Sequence, residues 1–178
     1  MKKLFGILVC LAVCLMTVSC SILGIGAKNG SASVSGQASG AALKSLYSQY
    51  KTDGQIDVTN LSNIIMLSQL ANGIQGLKGV DDKSAFYTDF AAGLILGSDN
   101  LVTKQTANPV TSTLQTLASG TDLSTLAAAG VMAAVSQNDQ AASAQNAASE
   151  AVDMLSDAKD EVSSTLSSLN TIFGLLGK

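Results

Sequence analysis

The sequence predicts an all-α fold: a single multi-helix bundle of about five or six helices with a long C-terminal heptad-patterned helix as its longest member. Three observations predict it. Val152, Leu155, Lys159, Val162, Leu166, Leu169, Phe173 and Leu176 alternate by three and four, an a/d seam with one polar a position. Leu43, Leu46, Tyr47 and Tyr50 fall at i, i+3, i+4 and i+7, one face of a helix. Val, Ile and aromatic residues nowhere alternate with polar ones for long enough to make a strand.

Taken in order, the chain opens on the basic Met1-Lys2-Lys3, continues with an apolar run from Leu4 to Met16, and closes it with Thr17-Val18-Ser19-Cys20. A charged start, a short apolar stretch and small residues before a cut site are the parts of a secretory signal. The run is too short to span a bilayer, which takes about 20 residues. Thr17 to Cys20 resembles the lipobox of bacterial lipoproteins, with Thr17 standing where leucine is usual. That resemblance covers the first 20 residues. It implies that residues 1–19 are removed, that Cys20 becomes the N-terminus, and that its thiol carries a diacylglycerol thioether. Each buried methylene contributes about 0.8 kcal/mol, so one acyl chain holds marginally and two or more hold firmly. The resemblance also implies delivery to the outer membrane, because Ser21 and not an aspartate follows the cysteine. No acidic run follows Cys20, which points to a periplasm-facing position.

Removing residues 1–19 takes away Lys2 and Lys3 and no acid, so Lys+Arg falls from 10 to 8 against 13 Asp+Glu and the net charge from -3 to -5. The mature chain has no arginine and no histidine, and its lysines are scattered. Phosphate backbones are bound by clustered Lys and Arg, so no nucleic-acid partner is expected. Cys10 and Cys14 leave with the signal and acylation consumes Cys20, which leaves no pair for a disulfide. A chain of this length buries enough surface to fold without one. No metal site and no cofactor are expected.

Ser21 to Gly40 is rich in Gly, Ser and Ala without a sustained apolar period. Residues 20–40 are therefore expected to be the lipidated cysteine and a flexible tether, and 41–178 an all-helical domain. Ala41–Lys51 is the first helix, with its tyrosines at core or rim. A turn over Thr52–Asp57 follows, with Asp57 placed to cap a helix that runs to about Leu77 and turns Leu61, Ile64, Ile65, Leu70, Ile74 and Leu77 inward. Asp53-Gly54-Gln55-Ile56-Asp57 resembles the second half of an EF-hand or dockerin calcium loop. Gln49, Lys51 and Asn60 stand where that loop carries acids, and calcium wants six to eight oxygens. The expected reading is an Asp-Gly turn with a capping aspartate.

Asp81 and Asp82 open a third helix that ends at Gly97, with Ala85, Phe86, Phe90, Leu94 and Ile95 near one side. As neighbours in sequence they do not share a helix face, so they read as caps and not as an acid-base pair. Pro109 fits the first turn of a short helix bearing Val110, Leu114 and Leu117. Leu126–Val135 is apolar all round, which predicts a buried helix whose small residues permit close approach, with a break near Asn138-Asp139. On the heptad helix Glu150, Asp153, Asp157, Asp160 and Glu161 face away from the seam. Small e and g residues, Ala151, Ser156, Ala158, Ser163 and Thr165, favour packing within the chain over a free dimeric coil.

The expected function is that of a lipid-anchored cell-envelope lipoprotein, held to the membrane through acylated Cys20 and acting as a structural or protein-interaction module with an envelope protein partner. A carrier that holds a lipid or small apolar ligand in the helical core is the alternative. An enzyme is not expected: it would have to work with Asp, Glu, Ser, Tyr or Lys alone, and no serine stands in a nucleophile-elbow context.

Overall fold

The computed structural model describes residues 32–138 and 142–177. The signal segment, Cys20 and the first part of the expected tether lie outside the described residues. Among the described residues the chain forms seven α-helices and no strand, packed as an all-α bundle. They are α1 (Ala32–Asp53), α2 (Leu61–Ile74), α3 (Ala85–Gly97), α4 (Ala107–Gly120), α5 (Ser124–Asn138), α6 (Ala142–Asp157) and α7 (Lys159–Leu176). One turn of 3-10 helix, Gln75–Leu77, prolongs α2.

Residues 32–40, expected as the end of the tether, are helical and belong to the bundle. They begin the longest helix among the described residues, with 22 residues, and bury Ala32, Gly36, Ser39 and Gly40. The glycines and serines that read as flexible are there because α1 lies against α3 with hardly any side chain between them. A Cβ at Gly36 would stand 2.9 Å from the Leu94 nitrogen, and one at Gly40 2.5 Å from the Leu94 carbonyl oxygen. From the other side, a Cβ at Gly93 would meet the Ser33 carbonyl carbon at 2.8 Å and one at Gly97 the Gln37 carbonyl carbon at 2.6 Å. The register advances in the same direction on both helices, so α1 and α3 run parallel. Between them in sequence, α2 returns antiparallel, its Gly73 set against Ser35 and Ser39 near the start of α1. On its far side α2 meets α5, where Gly130 makes room for Ser68 and the Ser68 hydroxyl donates to the Ala127 carbonyl at 3.1 Å.

This arrangement sets the sign of two substitutions. Alanine for glycine inside a helix ordinarily gains about 1 kcal/mol. At Gly97 the new methyl meets backbone that cannot step aside, and overpacking of about 1–3 kcal/mol outweighs the gain. Gly174, in α7, has nothing within 4 Å of an added Cβ. Gly97→Ala should therefore lower the thermal midpoint and Gly174→Ala raise it, by about 2–4 °C for each kcal/mol. Parallel melting curves check both.

Helix ends differ from expectation in ways that local chemistry explains. Asn60, not Asp57, caps α2, its side-chain oxygen accepting from the Ser62 N–H. Ser84 caps α3 by accepting from the Tyr87 N–H, while Asp81 closes the preceding turn by accepting from the Lys83 N–H at 2.8 Å. Gly97 is the last residue of α3, but the left-handed positions after it are Asp99 and Asn100, with φ of 53° and 63°. Gly97 is required by the approach of α1 and not by a left-handed stop. Pro109 sits in the first turn of α4, as its missing N–H allows. α5 ends at Asn138. It is not buried all round: Leu126, Ala129 and Ala133 face the core, while Val131 and Val135 are 43% and 45% exposed.

The heptad segment runs through two helices and not one. At Ala158 the backbone takes φ -91° and ψ 45°, ending α6 and starting α7 with Asp160 and Glu161 in its first turn. Two carboxylates there are favoured by the positive end of the helix dipole.

Candidate functional site

The kink at Ala158 positions an open groove of about 920 Å³. Its floor is apolar: Val152 and Leu155 from α6, Val162 and Leu166 from α7, and Val58 from the loop that joins α1 to α2. Around the floor stand Thr59, Ser156, Ser163, Ser167, Asn170 and Thr171, and one charged residue, Lys159.

The heptad positions explain why the groove is open. The g residues Ala151, Ala158, Thr165 and Ile172 and the d residues Leu155, Val162 and Leu169 are buried in the bundle. The e residues Ser156, Ser163 and Asn170 are exposed, and the a residues Val152 and Leu166 are half-buried. α6 and the first part of α7 thus use the d/g side of the pattern against their neighbours and leave the a/e side facing the groove, whereas the last a residue of the buried pattern, Phe173, lies in the core against Tyr47 and Tyr50. Leu169 sits where an a/d seam places it. Leu166 does not reach the core and forms groove wall instead. Lys159 is exposed and makes no ion pair among the described residues, where Lys44 and Asp99 form an exposed one at 2.9 Å.

Thr59, Asn63 and Asp57 tie down the Val58 wall. The Asp57 carboxylate accepts from the Thr59 N–H at 2.8 Å and the Thr59 hydroxyl at 2.7 Å, and the Asn63 side-chain amide donates to the Asp57 carbonyl at 2.8 Å. The hydroxyl bond and then the N–H bond from Thr59 hold the Asp57 carboxyl below its ordinary range. A depressed folded value means that its small contribution to stability is present above the ordinary carboxylate value and lost as pH falls through the lowered one. Gly54 has φ 73°, which fits the Asp-Gly turn. With the Asp57 carboxylate committed to Thr59 and only Asp53 beside it, this turn is short of calcium ligands. Titration calorimetry should show no calcium binding at micromolar concentration; binding that Asp53→Ala abolishes would overturn the turn reading.

The other residues singled out by sequence do not converge on the groove. Tyr47 and Tyr50 pack on Phe173 of α7, with ring centroids 5.3 and 4.9 Å apart, so they are rim packing. Asp81 and Asp82 are exposed. Glu150, Asp153, Asp157 and Asp160 are also exposed, as a face turned from the seam requires. Tyr87 donates its hydroxyl to the Asn108 carbonyl at 3.0 Å, and burial followed by the Asp82 charge pushes its phenol up. Among the described residues, no group of three or more His, Cys, Asp or Glu stands close enough to hold a metal, and no helix is long and apolar enough to cross a membrane. Among the described residues, the buried polar atoms Ser39 Oγ, Asn63 Oδ1 and Thr111 Oγ1 have no hydrogen-bond partner.

Sequence reasoning missed the groove as a site. Its signal was the lysine at an a position flanked by e serines, a combination that neither a core seam nor a free dimeric coil favours. No family model, curated protein or solved structure matches the chain.

Proposed function

We propose that this chain is a lipid-anchored lipoprotein of the cell envelope, held through acylated Cys20 at the outer membrane and facing the periplasm, whose bundle acts as a structural or protein-interaction module. The observation that carries the reading is the succession of Met1-Lys2-Lys3, the apolar Leu4–Met16 and Thr17-Val18-Ser19-Cys20.

Cys20→Ala should abolish incorporation of labelled palmitate and move the protein out of the membrane fraction, because the thiol is the acyl acceptor. Label entering the variant would contradict the anchor.

A second reading, a carrier of an apolar ligand, is favoured by one observation: the groove at the α6–α7 kink combines an apolar floor with polar groups on its rim, the composition of small-molecule sites.

A further inference from the structure

The geometry points to the groove at the α6–α7 kink as a binding site for a single-chain fatty carboxylate, its acyl chain on the apolar floor and its carboxylate at Lys159. This rests on the carrier reading and names its ligand class.

The floor comes from three segments that converge on one place: Val58 of the loop, Val152 and Leu155 of α6, and Val162 and Leu166 of α7. A compact apolar floor suits an acyl chain, and about 920 Å³ lies within the roughly 300–1,000 Å³ of small-molecule pockets. A partner helix is less well served. Along α7 the lining has two apolar residues, Val162 and Leu166, among Lys159, Ser163, Ser167, Asn170 and Thr171, and a docking helix needs a longer apolar stripe than that.

Charge selects the head group. The chain carries more acid than base, yet the lining of the groove holds Lys159 and no carboxylate. Lys159 is exposed, with its ammonium free of any ion pair among the described residues. One cation balances one carboxylate, whereas a phosphate monoester would bring nearly twice the charge. The hydroxyls of Ser156 and Ser163, on either side of Lys159 in sequence, supply further donors for the same head.

The test uses the mature chain, residues 20–178, carrying Cys20→Ala so that it stays off membranes. Palmitate displacing a fluorescent fatty acid should show saturable one-to-one binding, with native mass spectrometry giving the same stoichiometry. Hexadecanol, of equal length and no charge, should bind at least about tenfold more weakly, and Lys159→Glu should weaken palmitate by at least about tenfold, the loss of a charge-assisted contact. Leu166→Trp should fill the groove and abolish binding with the helical circular dichroism unchanged; Lys159→Glu, at an exposed site, keeps the test valid if that variant misfolds. Hexadecanol binding as tightly as palmitate, Lys159→Glu without effect, or no palmitate binding would each overturn the assignment. So would a dimer in sedimentation that Leu166→Trp dissociates, which would put a second copy in the groove. Any of these failures leaves the Cys20 anchor standing, because that is tested by palmitate labelling of the thiol.

Discussion

A fragment starting at Ala41 should melt at a much lower temperature than one starting at Ala32, or lose cooperative melting altogether. Residues 32–40 supply the stretch of α1 that lies on the backbone of Phe90–Gly97, and they bury Ala32, Gly36, Ser39 and Gly40. Removing them bares that side of α3, where Phe90 and Leu94 are fully buried. Uncovering a large side chain costs about 1.5–3 kcal/mol when complete. Partial uncovering of two such residues, together with removal of the close backbone packing of α1 on α3, takes a large part of the roughly 5–15 kcal/mol that holds a domain together. Circular dichroism melts of the two fragments make the comparison. Equal midpoints would return residues 32–40 to the tether.

Leu169→Ala should be among the most damaging single substitutions, and Leu166→Ala one of the mild ones, although both belong to the same heptad pattern. Leu169 is 1% exposed and its removal leaves a cavity in the core. Large-to-small changes of that kind cost about 2–5 kcal/mol. Leu166 is half-buried and already faces open space in the groove, so its truncation forfeits only part of the about 1.5–3 kcal/mol that full burial brings. Urea denaturation of both variants gives the two numbers, and sedimentation shows whether either changes the oligomeric state. A dimer that Leu166→Ala turns into a stable monomer would make the a/e face an oligomer seam.

The helical class was legible because apolar periodicity survives in any packing: Leu43 and Leu46, Ile64 and Ile74, Phe90 and Leu94, and Leu114 and Leu117 all lie in the core as their spacing requires. The start of the bundle was not legible by the same rule. Gly36 and Gly40 contribute to the core by having no side chain, and a hydrophobic pattern does not register that. Their spacing was nevertheless present, since Gly36 and Gly40 and then Gly93 and Gly97 repeat at i and i+4, the interval that brings two helix backbones together. The heptad pattern was legible as a helix signal and ambiguous as to which neighbour it meets. Small residues at both e and g allowed neighbours on either side, and along the groove the chain has one on the g side alone. The kink at Ala158 has only a faint local signature, Asp160 and Glu161 just after a small residue, and the groove follows from that kink. The Val58–Thr59 wall is a matter of tertiary approach, which no local pattern encodes.

The central claim, that Cys20 is the lipid-bearing N-terminus of the mature protein, is tested most directly by the intact mass of the protein extracted from host membranes, with sequencing of its first peptide. The account predicts a chain that begins at Cys20 and carries a diacylglycerol thioether on its sulfur, with or without a further acyl group on the α-amine. A mature chain that begins elsewhere, or one in which Cys20 is a free thiol, would contradict it.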